Sequence, residues 1–389
     1  MKWLLRNNAR MCYNLRMIDV QTKNPFLIAG YEGSDYFCDR ERETEKLIEA
    51  VNNGRNVTLL AARRIGKTGL IRHLFGKLRE TGGWNVVYVD IYATQNLAEF
   101  TRKFAAAVIG SMDSSMEKAL LAAAAFFKSF RPGITIDPLT GAPTYSFAIQ
   151  PMQVEASLKE CFDYLATRGR CVVAIDEFQQ IASYPEKGTE ALLRSFIQFL
   201  PDTRFIFAGS RHHLMTEMFV SANRPFYNST QTVPLDRIDR EAYLRFAQGH
   251  MSAAGLELQK DFFDGLYDMF DGITWFVQLV LNRLYARRTV THEALLKVLD
   301  DILEEKTWEF GMLVKALPAG SVRLLKAIAR DRRVKGVTGA DFLSRHDLGG
   351  ASSVHLSLNK LLEDELLYED ADGYVVYDRL FGMWLARMS

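Results

Sequence analysis

The stretch Asn56–Leu70 reads NVTLLAARRIGKTGL. Val57–Ala61 is an apolar, β-rich run. Ala62-Arg63-Arg64-Ile65 makes a short basic turn, and Gly66-Lys67-Thr68 follows. Leu70, Ile71, Leu74, Phe75 and Leu78 then recur at helical spacing. Strand, loop, GK[ST], helix is the context that a phosphate-binding loop requires. Backbone N–H groups of the loop and the helix N-terminus point at the β- and γ-phosphates. Lys67 supplies a point positive charge to them, and the Thr68 hydroxyl can ligate Mg²⁺. One letter departs from GxxxxGK[ST]: Ala61 occupies the place of the first glycine. Glycine there permits positive φ and close backbone approach, so the start of the loop is expected to differ slightly, or its affinity to be lower.

The rest of the chain is long enough for two or three domains: 389 residues, 48% hydrophobic and 24% charged, in the range of globular proteins. Its formal net charge is +1, which removes any global basic field as an argument for nucleic acid. Cys12, Cys38, Cys161 and Cys171 show no metal spacing and read as reduced thiols of a cytoplasmic protein. No apolar run reaches the roughly 18 residues of a membrane span. Met1–Arg16 carries Lys2, Arg6, Arg10 and Arg16 around a short Trp3-Leu4-Leu5 cluster, too short for a signal peptide. Residues 1–23 are expected to be a poorly ordered extension, with Met17 an alternative start.

Upstream of the loop, Phe26, Tyr36 and Phe37 are candidates for a base-stacking surface, and core packing explains them equally well. Asp39 is placed to cap a helix with Thr44, Leu47, Ile48 and Val51 on one face. Trp84–Ile91 reads as a second strand. Ala98–Met112, Met116–Phe130 and Val154–Thr167 read as helices. Gly133–Ile149, with turn chemistry at Asp137–Gly141, reads as an inserted β-hairpin that either contacts partners or caps a helix pair.

Arg170–Ile175 is a continuous apolar strand that runs into Asp176-Glu177. A carboxylate pair there completes the phosphate machine: Asp176 holds Mg²⁺ through water beside Thr68, and Glu177 orients the attacking water. After the next strand, Arg204–Ala208, Ser210 is the candidate γ-phosphate sensor, with capping of the His212–Phe219 helix as its other reading. Arg211, Arg224 and Arg237 are candidate charge-stabilising arginines. Gln231–Leu235 supplies a fifth parallel strand. Beyond it, Arg240–Ala254, Lys260–Phe270, Ile273–Arg287 and His292–Phe310 form a helical lid, with Asp271 or Thr274 capping the third helix. Ser321–Ser389 reads as helix, helix, helix, hairpin: a winged-helix plan. Its third helix carries Ser352, Ser353, His355, Asn359 and Lys360, and Glu363, Asp364 and Glu365 follow. That face is polar but barely basic. Arg330, Arg332, Arg333 and Lys335 form a basic run near the first helix. DNA binding and docking of a protein partner both remain open.

Together these boxes resemble one family. FCDRERE (Phe37–Glu43), ARRIGKTGLI (Ala62–Ile71), VVAIDEFQ (Val172–Gln179), FAGSRHHLMTEMF (Phe207–Phe219) and YDRLFGMWL (Tyr377–Leu385) occur in order. The chain is similar over residues 24–389 to the archaeal-type P-loop ATPases, AAA+-related proteins close to the STAND ATPases. The resemblance implies ATP rather than GTP. It also implies an α/β P-loop core with a parallel sheet (24–235, hairpin insertion at 133–149), a helical lid (236–318) and a winged helix (319–389). The binding residues expected are Ala62, Arg63, Arg64, Ile65, Gly66, Lys67, Thr68 and Gly69. Thr68 and Asp176 are the expected Mg²⁺ ligands, and Glu177, Lys67 and Ser210 the catalytic set. The expected activity is Mg-ATP hydrolysis driving a molecular switch. The alternative is a nucleotide-gated DNA-binding or regulatory module with little hydrolysis. DNA or a protein would engage the winged helix or the hairpin, and homo-oligomer formation is left open.

Overall fold

The structure is a computed structural model that describes residues 23–112, 126–136, 143–149, 151–370 and 372–388. The expected disordered extension, Lys23 apart, lies outside these residues, as does most of the helix expected over Met116–Phe130. The first half runs β1 (Val57–Ala61) after α1 (Glu41–Asn52), then α2 (Lys67–Thr81), β2 (Asn85–Asp90) and α3 (Leu97–Met112). An antiparallel pair follows, β3 (Phe130–Ile136) and β4 (Pro143–Ile149), in the place of the expected hairpin. Phe130 belongs to that strand rather than to a helix, because Pro132 disfavours helical geometry just before it. Next come α4 (Val154–Ala166), β5 (Cys171–Asp176), α5 (Thr189–Ile197), β6 (Thr203–Gly209), α6 (His212–Val220) and β7 (Gln231–Leu235).

The five strands β2-β5-β6-β1-β7 form one parallel sheet in that order. Strand β5 is buried along its whole length, as a central parallel strand requires. In β6, Phe205 and Phe207 enter one core, with Phe104, Phe162 and Phe219. Their neighbours Ile206 and Ala208 enter the other, with Leu70, Leu74 and Leu47. The period of two thus separates two helical layers. The carboxyl ends of β1, β5 and β6 open on the same edge, where parallel α/β sheets bind ligands.

Helices α7 (Arg240–Ala253), α8 (Lys260–Met269), α9 (Thr274–Arg287) and α10 (His292–Lys315) form the lid. Then follow α11 (Ala319–Asp331), α12 (Ala340–Arg345), α13 (Ala351–Glu363), β8 (Leu367–Asp370), β9 (Gly373–Val376) and α14 (Arg379–Arg387), the winged-helix order. Helix α10 continues past the expected end at Phe310, and Phe310 packs on Phe381 and Trp384 at 5.1 and 5.7 Å. Lid and winged helix therefore share one apolar core. Among the described residues no helix is long and apolar enough to cross a membrane.

Candidate active site

The loop after β1 turns on two left-handed residues, Arg64 (φ 68°) and Gly66 (φ 94°). Ala61 lies within the strand, paired with Leu235, and is absent from the positive-φ residues. A methyl group there meets no backbone strain, so the expected distortion at the start of the loop has no structural basis. Lys67 opens α2 and is 7% exposed. Its Nζ lies 2.8 Å from Asp176 Oδ1 and 2.7 Å from Glu177 Oε1. Thr68 Oγ1 donates to Asp176 Oδ2 at 2.9 Å, and the Tyr88 hydroxyl donates to the same oxygen at 2.8 Å.

Glu177 sits at φ 57°, a left-handed conformation that side chains other than glycine adopt at some strain. Its second oxygen accepts from Ser210 Oγ at 2.8 Å and Gln179 Nε2 at 2.6 Å. Burial alone raises the pKa of both carboxylates, but the Lys67 charge and the hydroxyl and amide donors outweigh it, leaving both below their ordinary values. Both are ionised at neutral pH. Ser210 does not cap α6: Arg211 is the N-cap residue, with no side-chain cap bond, and the Ser210 hydroxyl is committed to Glu177. Gly209 leaves room for two buried side chains. A Cβ there would overlap Gln179 Oε1 and come within 2.6 Å of Met215 Sδ.

A cavity of about 450 Å³ extends from Lys67, Thr68 and Glu177 towards Leu27–Tyr31, between the core and the lid. Phe37 lines it, stacks on His73 at 4.5 Å and covers Gly69. Tyr36 also lines it and stacks against His250. Phe26 does not: it is fully buried among lid residues, which decides for core packing. Asp39 does not cap α1. The N-cap is Arg40, at φ 80°, because its buried guanidinium turns inward to the carbonyls of Ile65 (3.2 Å) and Asp236 (2.5 Å). Neither Asp271 nor Thr274 caps α9. Ile273 is its N-cap, and the Trp275 backbone N–H donates to the Arg64 carbonyl at 2.9 Å. The lid thus rests directly on the phosphate loop.

The winged helix reaches the same loop from the other side. The Tyr377 hydroxyl accepts from the Arg63 backbone N–H at 2.9 Å. Glu365 pairs with Arg63 and, at 2.8 Å, with Arg211 Nε. Asp378 pairs with Arg64 Nη1 at 2.6 Å while the Arg64 guanidinium lies 4.8 Å from the Trp275 ring. Burial pushes the Tyr377 hydroxyl up to about 12. Arg211 and Arg237 line a second cavity, about 660 Å³, between loop and winged helix. Arg224 is tied instead to Glu190.

Residues 37–280 match the family described as ATPase domain predominantly from Archaea. The chain belongs to this family. Residues 308–387 match a probable winged helix domain. No curated protein matches the chain. Among solved structures, the Walker-type ATPase paby2304 of Pyrococcus abyssi is similar at 20% identity and TM-score 0.64, covering 93% of this chain and 99% of that one. The ORC2 protein of Aeropyrum pernix, solved in ADPNP-ADP complexes, is similar at 13% identity and TM-score 0.55, over 95% and 99% of the two chains. The ORC1 protein of the same organism, solved in complex with DNA, is similar at 14% identity and TM-score 0.52, over 91% and 94%. These likenesses bear on the fold: a P-loop NTPase of AAA+ type with a C-terminal winged helix. For this ATPase-domain protein, Lys67, Thr68, Asp176, Glu177 and Ser210 meet at one edge of the sheet as the motifs require. Tyr88, Gln179, Arg40 and the Glu365–Tyr377–Asp378 set were missed. Tyr88 had a local signal, since it lies two residues before the end of a strand beside β5.

Proposed function

We propose that this protein binds and hydrolyses Mg-ATP, and that its winged helix acts as a latch on the phosphate loop. The observation that carries the reading is the Lys67 ammonium held between Asp176 and Glu177. A lysine this buried needs anionic partners, and the β- and γ-phosphates are the partners its loop is shaped to offer instead. The Thr68 hydroxyl and Asp176 carboxylate are hard oxygens, few in number, which suits Mg²⁺, an ion that keeps waters and shares phosphate oxygens. Bound there, Mg²⁺ would neutralise phosphate charge. When Lys67 turns to phosphate, Glu177 is freed on one oxygen while Ser210 and Gln179 still hold the other. Held on that oxygen by Ser210 and Gln179, the Glu177 carboxylate is placed to orient the attacking water.

The latch supports the switch. Arg63 and Arg211 share the Glu365 carboxylate and Arg64 pairs with Asp378, both acids belonging to the winged helix. Phosphate charge arriving at the loop competes for the same cations, so nucleotide state and winged-helix position are coupled. The test is phosphate release from Mg-ATP by wild type, Glu177→Gln and Lys67→Ala, with nucleotide binding followed on the same samples. Glu177→Gln is expected to keep binding and lose turnover by about 100-fold or more, that figure being the lower end of the range for a positioned catalytic group. Wild type that neither binds nor turns over Mg-ATP refutes the proposal.

DNA binding is the second reading, supported by the winged-helix order and the exposed Ser352, Ser353, His355 and Leu356 on α13. Its basic run is partly committed within the chain, Arg333 to Asp370 and Asp271, and Lys335 to Asp372. Anisotropy with duplex DNA at two salt concentrations separates the readings, since phosphate contacts impose a steep salt dependence.

A further inference from the structure

Among the described residues that line the cavity above Lys67, Gln278 has a buried side-chain oxygen without a hydrogen-bond partner. The residue is 7% exposed. A buried amide oxygen left unpaired bears the full cost of its lost hydration. Buried polar groups are nearly always paired, so each exception asks for an explanation.

The helix places this group. Trp275, Gln278 and Asn282 recur along α9 at spacings that share one face. Trp275 Nε1 donates to the Ile28 carbonyl at 3.0 Å, and Asn282 Nδ2 donates to the Phe26 carbonyl at 2.8 Å. Gln278 therefore lies between two side chains that pin the Phe26–Ile28 segment. It also follows Thr274 by one helical turn, and Thr274 Oγ1 faces the Ile65 carbonyl of the phosphate loop at 3.4 Å. One turn along α9 from the phosphate loop, Gln278 lines the same cavity as Lys67, together with Leu27 and Ile238.

We infer that Gln278 reads the base of the bound nucleotide, its Oε1 accepting a hydrogen bond from the exocyclic amino group of adenine. This rests on the nucleotide-site reading above. A glutamine amide suits that edge: the oxygen accepts from the amino group while the NH₂ donates to an adjacent ring nitrogen. The phosphates fix the other end of the ligand at Lys67, so an amino group at the far end discriminates among nucleotides that share the triphosphate. A site built to hydrogen-bond one substrate group rejects analogues lacking it, because its own polar atom is then stranded.

The test is calorimetric titration of the full chain with Mg-ADP and with the Mg complex of purine riboside diphosphate, the same nucleotide without the amino group. Wild type is expected to bind ADP about tenfold tighter, the size of one buried hydrogen bond. Gln278→Met, which keeps length and loses the polar atoms, is expected to bind the two within about twofold. Wild type without a preference overturns the inference and needs no variant, so poor folding of Gln278→Met would not rescue it. A preference that survives in a folded Gln278→Met overturns it too. Equal binding of both diphosphates leaves the phosphate-loop reading intact, whereas failure to bind either one removes that reading as well.

Discussion

Glu365→Gln removes the charge that joins the winged helix to the phosphate loop while keeping its shape. The Glu365 side chain is 17% exposed, and it bridges Arg63 at 33% and Arg211 at 42%. Solvent screens such pairs, so each is assigned about 0.5–0.75 kcal/mol, within the range measured for exposed ion pairs and with the more open Arg211 at the low end. Together they hold the latch by about 1–1.5 kcal/mol, and losing that shifts an open–closed equilibrium roughly five- to tenfold. If the closed form predominates and hinders phosphate binding, apparent Mg-ATP affinity rises by the same factor, because affinity scales with the competent fraction. The assay is equilibrium binding of Mg-ATP and steady-state phosphate release, for wild type and Glu365→Gln, at low and high salt. High salt is expected to narrow the gap, since it weakens the same pairs in wild type. A folded Glu365→Gln with wild-type melting temperature, affinity and turnover refutes the latch. So does a variant whose affinity falls, which would make Glu365 a supporter of the nucleotide-bound form.

Two further perturbations probe the carboxylate side. Gly209→Ala places a methyl against Gln179 Oε1, so Gln179 must swing and Glu177 loses a donor. Turnover is expected to fall about tenfold, with binding changed by less than about threefold and stability lowered by about 1–3 kcal/mol from overpacking; wild-type turnover counts against Gln179 as the holder of Glu177. Asp176 and Glu177 have lowered folded pKa values, so their stabilising contribution is full above the ordinary values of 3.8 and 4.5 and is lost as pH falls through the lower folded values. In Lys67→Met burial is no longer offset by the lysine, and the buried carboxylates destabilise the neutral-pH protein. Melting temperatures from pH 3 to 7 are expected to show the wild-type advantage shrinking in acid; a pH-independent difference would contradict the assignment.

The sheet was legible because its signals are local. Val57–Ala61 and Cys171–Asp176 are apolar runs that end in chemically specific letters, and a buried parallel strand leaves little else to write there. Lys67, Thr68, Asp176, Glu177 and Ser210 were legible for the same reason: each stands at the tip of such a strand or just after it. Helix caps are less legible. Asp39, Ser210 and Thr274 are all good capping residues by type, yet none caps its helix. In each case a tertiary demand prevailed: Arg40 turns into the core, Ser210 reaches Glu177, and Thr274 faces Ile65. Propensity is a weak prior where a side chain or its neighbour has a long-range partner.

The latch lies at the other extreme. Arg64 and Asp378 are 314 positions apart, and nothing in the spacing of either connects them. Each also has a sufficient local reason to exist. Arg64 belongs to the basic turn of the phosphate loop, and Asp378 caps α14 by accepting from the Leu380 and Phe381 N–H groups. Because both roles of Asp378 use its carboxylate, they can be separated by chemistry. Asparagine is as good an N-cap as aspartate but carries no charge for Arg64. Asp378→Asn should therefore leave α14 and the melting temperature nearly unchanged while loosening the latch as Glu365→Gln does. Asp378→Ala should lose both, with about 1 kcal/mol of helix stability gone as well. If the asparagine and alanine variants bind Mg-ATP as wild type does, the Arg64 contact is packing without consequence for the site, and the latch reduces to Glu365 alone.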